Sequence, residues 1–255
     1  MKIEDFVQQN KQFEIPTQYY RVGKDWETYV CFYNYFDQIF PKDDVGVTLH
    51  LFFFNLNGEQ IAYGTEKLSV HDSRSVACSR FLAEGEGLVA AAAIPEKDLA
   101  PLAEGKFNLR GQISTGYYTM WESKQTKTMD ISHEWASLQK TPGSREHVFH
   151  SNFNASSTDL QRQLIVINPN LKFEEGSSVP SFKIYKNSKF VGNFSPELKM
   201  HGRAVQVLDV DQVLKTLNIS LDVSDNIAVS TIGKNITVPL TVENIRGSDF
   251  HIHHV

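Results

Sequence analysis

Apolar residues recur at every second position over much of the chain, and they do so twice in the same order. In Thr48-Leu-His-Leu-Phe-Phe-Phe54 the alternation sets Leu49, Leu51 and Phe53 on one face, and in Ser181-Phe-Lys-Ile-Tyr185 it sets Phe182 with Ile184. The first run continues through a turn, Asn55-Leu-Asn-Gly58, into strands at Gln60–Tyr63, Glu66–Val70 and Ser75–Cys78. The second continues through Lys186-Asn-Ser-Lys189 into Phe190-Val191, Glu197–Met200 and Ala204–Val207. Upstream of each lies a run closed by asparagine: Glu27–Tyr33 before Asn34, and Gln163–Ile167 before Asn168-Pro-Asn170. Downstream, Gly87–Ile94 matches Ile227–Ile232, and Phe107–Trp121 matches Ile236–Glu243.

Helical spacing is confined to short stretches. Ile3, Phe6, Val7 and Phe13 suit a short amphipathic helix or a packing arm that Pro16 ends. Asp209-Val-Asp-Gln212 has the form of a capping box, and Val210, Val213, Leu214 and Leu217 follow on one helical face, which predicts a helix over Val210–Leu217. Pro95–Leu102 reads as a weaker helical turn. These elements predict an all-β chain of two tandem antiparallel β-sandwich domains with one or two short helices. The expected divisions are an arm or helix over 1–16, a first sandwich over 17–138, a linker over 139–146 and a second sandwich over 147–255.

Composition narrows the function classes. At 255 residues the chain is long enough for one or two cores. Its 25 basic and 30 acidic residues are mixed along the sequence, net charge −5, which argues against a dedicated nucleic-acid surface. No window reaches the ~20 apolar residues of a membrane span, and acidic residues interrupt the N-terminus where a signal peptide needs an apolar core. The expectation is therefore a cytoplasmic chain, with the Asn-x-Ser/Thr triplets at Asn154, Asn193, Asn218 and Asn235 as chance matches. Cys31 and Cys78 both fall in apolar strand candidates and read as small buried hydrophobes, with a bridge between facing strands as the alternative.

Glu27-Thr-Tyr-Val-Cys-Phe-Tyr-Asn34 and Gly58-Glu-Gln-Ile-Ala-Tyr-Gly64, running on through Leu68-Ser-Val70, give a strand order that resembles the sensory rhodopsin transducer family of small β-sandwich proteins. The resemblance covers 27 to 94, and more faintly 163 to 232, and differs in that the layout here is duplicated. It implies a sandwich used for binding, often assembled into oligomers, with no catalytic residues to carry over.

Candidate chemistry centres on histidine. In Ser248-Asp-Phe-His-Ile-His-His254, a strand would set His251 and His253 on one face, about 6 to 7 Å apart, with Phe250 and Ile252 inward, a spacing that suits two imidazoles on one metal. Further ligands would come from His150, with His147 nearby, or from His133, and Glu134 or Glu146 would serve as general base. Aligning Asp130 with Asp249 sets Ser132 and Glu134 against His251 and His253, so such a site would belong to one half only. The plainer reading is a polar, exposed C-terminal strand. His50 and His71 read as structural. No P-loop, dinucleotide fingerprint, nucleophile elbow or structural-zinc spacing is present.

Aromatic residues crowd the first half, and alternation along Tyr29–Phe36 sends large rings to both faces of a strand. The function expected on these grounds is a non-enzymatic binding or assembly module that presents an aromatic face to a protein or carbohydrate partner, or to copies of itself as a homo-oligomer. No cofactor is expected of such a module. The alternatives are a metal-dependent enzyme centred on His251 and His253, which would hold a divalent transition metal, and a structural subunit of a particle or sheath.

Overall fold

The structure, a computed structural model, describes residues 1–36, 44–98, 117–132, 136–154, 160–196, 199–245 and 250–254. Among these, helix α1 (Ile3–Gln9) precedes strands β1 (Pro16–Val22), β2 (Trp26–Tyr33), β3 (Val47–Asn55), β4 (Gln60–Leu68), β5 (Ser73–Ala77), β6 (Gly85–Pro95), β7 (Tyr118–Ser123), β8 (Met129–Ser132) and β9 (Ala136–Ser137). Then come β10 (Glu146–Asn154), β11 (Leu160–Ile167), β12 (Ser181–Lys186), β13 (Lys189–Phe194), β14 (Val205–Asp209), helix α2 (Val210–Thr216), β15 (Asn226–Lys234), β16 (Leu240–Ile245) and β17 (Phe250–His254). The chain is all-β, with two short helices among the described residues, and no described helix is long and apolar enough to cross a membrane.

Two compact units are formed. One comprises Met1–Asn55, Gln60–Trp121 and Ile131–Leu138; the other comprises Leu56–Glu59, Glu122–Asp130 and Gln139–Val255. The sheets have the orders β4-β3-β6-β1-β9, β5-β2-β7-β8, β10-β15-β12-β13 and β14-β11-β16-β17. Replacing β1 to β8 by β10 to β17 turns the first pair of sheets into the second, strand for strand, so the sequence echo is a duplication of topology. Only β9, beside β1, has no counterpart in the described second unit.

In each unit two sheets supply a common core. Leu49, Leu51 and Phe53 of β3 meet Val89, Ala91 and Ala93 of β6, Tyr20 of β1, and Val30, Phe32 and Val76 from β2 and β5. In the second unit Phe182 and Ile184 of β12 meet Phe153, Ile227 and Val229 of β10 and β15, and Leu164, Val166 and Leu208 of β11 and β14. The alternation expected along both runs is therefore realised. Burial on both faces explains the unbroken apolar run of β6, whose Ala90 to Ala93 are all fully buried. Opposite it, Phe52 and His50 of β3 take the ring of Phe6 from α1, at centroid distances of 5.0 and 4.8 Å. Gln60 ties this helix down, its Oε1 accepting from Ile3 N at 2.9 Å while its Nε2 donates to Met1 O at 2.9 Å. Helix α2 starts as its capping box predicts, with Asp209 Oδ1 accepting from Gln212 N at 2.9 Å.

The structure corrects several expectations. The expected strand Glu27–Tyr33 forms as Trp26–Tyr33, but an unforeseen one, Pro16–Val22, precedes it. Its polar residues hide it: Gln18 is buried because its Nε2 donates to Tyr117 O at 3.1 Å and its Oε1 accepts from Thr119 N at 3.1 Å. Gln60–Tyr63 and the start of Glu66–Val70 are not separate strands but parts of the continuous β4, which ends at Leu68. Gly64 at its middle makes room for a ring, since a Cβ there would stand 2.1 Å from Phe81 Cε1. Strand β10 begins at Glu146, the last residue of the expected linker. Pro95 ends β6, and Leu99 to Leu102 of the expected helical turn lie outside the described residues. Cys31 and Cys78, by contrast, are buried and unbridged as expected.

The asparagines that close β2 and β11 do the same work twice. Asn34 is fully buried; its Nδ2 donates to Val45 O at 2.8 Å and Ser69 O at 3.1 Å, and its Oδ1 accepts from Phe36 N at 3.2 Å. Asn168 is also fully buried, donating to Gly176 O at 2.8 Å and Met200 O at 3.4 Å and accepting from Asn170 N at 3.1 Å. Their backbone N–H groups bond Asp72 O and Ala204 O, each just before the next strand of the same sheet. Asn34→Ala or Asn168→Ala strands these buried carbonyls and is expected to cost about 2–4 kcal/mol in urea unfolding. The Asp variants should cost more, because a carboxylate oxygen then faces two carbonyls.

Candidate functional site

The histidines of the expected metal site are spread over two sheets of the second unit. On β10, side chains alternate, so His147 and His150 fall on opposite faces of the strand. His150 is exposed, and its Nδ1 lies 2.8 Å from Ser230 Oγ on the neighbouring β15. His147 stacks on Phe149, with centroids 5.9 Å apart and planes at 8°. His251 and His253 belong to β17, in the other sheet, where they stand opposite Glu243 and Thr241 of β16. The register continues to β11, so Arg162, Glu243 and His251 form one row, and Leu164, Thr241 and His253 the next. His133 and Glu134 lie outside the described residues, as do Ser248 and Asp249. Glu146 is exposed at the start of β10, and Ser132 is buried at the end of β8. Among the described residues no group of three or more His, Cys, Asp or Glu could hold a metal ion.

The other candidate residues have structural partners. His50 Nδ1 lies 2.8 Å from Tyr63 Oη, its ring packs between Phe6 and Tyr63, and burial lowers its pKa. His71 has a left-handed backbone, φ 59°, in the turn between β4 and β5. Burial raises the Cys31 thiol pKa, against hydrogen bonds with Ser75 and Tyr118 that lower it. Cys78 is raised further by full burial, then by Glu27. Neither thiol has the depressed pKa of a nucleophile.

The dense aromatics separate into a buried and an exposed group. Tyr19 packs on Trp121 at 5.1 Å and donates its hydroxyl to Glu86 Oε2 at 2.5 Å. Burial, then the Glu86 charge, push its pKa well above the ordinary tyrosine value. Arg21 reaches the same carboxylate at 3.8 Å and lies 5.1 Å over the Trp26 ring. Along β2, Val30 and Phe32 enter the core while Tyr29, Cys31 and Tyr33 take the other face. There Tyr33 is 40 % exposed; Tyr118 on β7, hydrogen-bonded to Cys31, is 43 % exposed, and Ile131 on β8 is 48 % exposed. Strict alternation, applied to Tyr29–Tyr33, is the signal that anticipates this face.

Sequence reasoning missed a second cluster. Phe173 and His201 stack at 4.3 Å with planes at 7°, and Arg203 lies 5.7 Å from the Phe173 centroid. Glu174 Oε2 approaches His201 Nδ1 at 3.6 Å and Lys199 Nζ at 3.5 Å. Two of them, Lys199 and His201, line a cleft of about 170 Å³ in the second unit, with Leu56, Val205 and Val207 among the other lining residues. The turn at Leu56 and the segment that leads into β14 form it, far apart in sequence, and no periodic pattern brings them together.

Two ion pairs brace the second unit, one between β11 and α2 and one at the turn before β15. Arg162, almost wholly buried, bonds Asp211 Oδ1 through Nη1 at 2.7 Å, and its backbone N donates to the other oxygen at 2.8 Å. Asp225 accepts from Asp222 N, Asn187 Nδ2 and Lys186 Nζ at 2.7, 2.7 and 2.8 Å. The Asp222 N–H, then the Lys186 ammonium, hold its pKa down at about 2.

No family model, no curated protein and no solved structure matches the chain.

The depressed Asp225 carboxyl makes stability depend on acid. Its unfolded pKa is ~3.9, so the contribution is complete above that value and is lost as pH falls through the folded pKa. Asp225→Asn is expected to lower stability at neutral pH, and the difference from the parent should shrink between about pH 4 and the folded pKa of about 2. Urea unfolding of both proteins across that range checks it; a gap independent of pH contradicts the assignment.

Proposed function

We propose that the protein is a non-enzymatic binding or assembly module of two tandem β-sandwiches, and that the outer face of β2, β7 and β8 is where it docks a partner protein. One observation carries this reading: Tyr33, Tyr118 and Ile131 are exposed at 40, 43 and 48 % on a sheet whose opposite face is core. Large apolar rings in water cost free energy that docking recovers, and a β-sheet holds them rigid, so little side-chain entropy is lost on binding.

The chemistry of the face suits a protein partner. Tyrosines give amphipathic contact area with few rotors, and the neighbouring edge strand β5 adds Ser73 and Ser75 as adaptable hydrogen-bonding groups. Ser75 already bonds Cys31 Sγ at 3.3 Å across the β2–β5 pair. A sugar would stack on the same rings, which makes a carbohydrate the competing ligand. The resemblance to the sensory rhodopsin transducer family, read from strand order, points to binding as well.

The test uses the intact chain and its Tyr33→Ala/Tyr118→Ala variant. Both are used to capture partners from extracts of the source cells and are screened on a glycan array. Each hit is then purified and its affinity measured by calorimetry. Two interface tyrosines are expected to contribute about 30-fold or more in Kd between them. A partner bound equally well by both proteins overturns the assignment of this face, and a glycan whose binding is lost in the variant replaces protein by carbohydrate.

A further inference from the structure

The duplication contains one mismatch, and it falls on a sheet edge. In the first unit the outer side of β1 is covered by β9, with Thr17 opposite Ala136 and Pro16 opposite Ser137. Thr17 Oγ1 also donates to Ala136 O at 2.6 Å, and Leu138 N donates to Ile15 O at 2.8 Å. The counterpart of β1 is β10. Tyr20 stands opposite Gly87 and Phe153 opposite Ile227, and both rings enter the cores of their units. Counting back equally from those rings, the counterpart of Thr17 is His150. At His150 the outer side of β10 has no partner strand among the described residues.

This edge is long and open. Strand β10 has 9 residues, and Glu146, His147, His150 and Asn152 are exposed, with Val148 exposed at 52 %. No proline or lysine lies within Glu146-His-Val-Phe-His-Ser-Asn-Phe-Asn154 to discourage pairing.

We propose that this edge is completed by β10 of a second copy of the chain, in an antiparallel pair centred on Val148. The strand is self-complementary in that register. Val148 meets Val148 of the second copy on the two-fold axis, and on the same face Glu146 opposes His150 of the second copy, twice by symmetry. His150 keeps one ring nitrogen on Ser230 and has the other for that carboxylate. On the opposite face His147 meets Phe149 of the second copy, the two residue types that already stack within one chain. A register centred on His150 would instead set the two imidazoles against each other. Pairing joins two 4-stranded sheets into one continuous sheet across the dimer. The interface is separate from the aromatic face of β2 and does not depend on it.

Sedimentation of the full chain over a range of concentrations, with four variants, tests the proposal. The parent should dimerise. Val148→Lys, which sets two ammonium groups on the axis, should sediment as a monomer with an unchanged circular dichroism spectrum. His150→Glu sets carboxylate against carboxylate twice, and Glu146→Lys removes both carboxylates that face His150; each should weaken the dimer about tenfold or more. The double variant Glu146→Lys/His150→Glu sets ammonium against carboxylate twice and should return to near the parental dissociation constant. A monomeric parent overturns the proposal, and so does a dimer indifferent to these substitutions. In the second case, sensitivity to Tyr33→Ala/Tyr118→Ala would place the contact on the aromatic face instead.

Discussion

The fold turns on a buried amide that must give and accept at once. Where β2 and β11 end, the chain leaves one sheet and later returns to it, and the loops that bracket this excursion would expose carbonyls to a dry interior. Asn34 and Asn168 meet that need with one side chain each, donating to a carbonyl ahead of β3 or β12 and to another after β4 or, in the second unit, near β14. A hydroxyl is too short and has one proton. A carboxylate has none to give. Because each amide bonds two loops separated in sequence, it fixes where the flanking strands begin, and with that the row in which every later residue sits.

Much of this was legible in the chain because alternation and turn chemistry agree. The runs ending in asparagine, the paired hairpins and the capped helix α2 all carry local signals that tertiary packing had no reason to override. Strand β1 carries no such signal: Thr17 and Gln18 are polar, yet both are buried, satisfied by Ala136, Tyr117 and Thr119 far along the chain. Gly64 read as a stop and proved to be a gap for a ring. The site was less legible than the fold. Tyr33 could be placed outward by parity alone, but the Phe173–His201 stack joins two loops, and no rule of periodicity brings them together. Histidine spacing alone carries little for a related reason. His147 and His150 are close in sequence but on opposite faces, a distinction that needs the strand to be recognised first.

Duplication let the two units diverge while keeping their frame. The first carries the aromatic outer face and a covered edge; the second carries ion pairs at Asp211 and Asp225 and, among the described residues, no strand beside the outer edge of β10. Each difference sits outside the repeated core, where a change of side chain leaves the asparagine-bound loops undisturbed. Surface chemistry can therefore be altered in one unit without redesigning the other.

The docking of α1 also sets an order of events during synthesis. Residues 3 to 9 are made before the surface they cover, which includes Phe52 and His50, and before Gln60, their hydrogen-bonding clamp. Until β3 and Gln60 have emerged, Ile3, Phe6 and Val7 lack the surface that buries them. Helix α1 thus settles only after the strand it packs on, and until then its apolar residues are open to a chaperone that meets the growing chain.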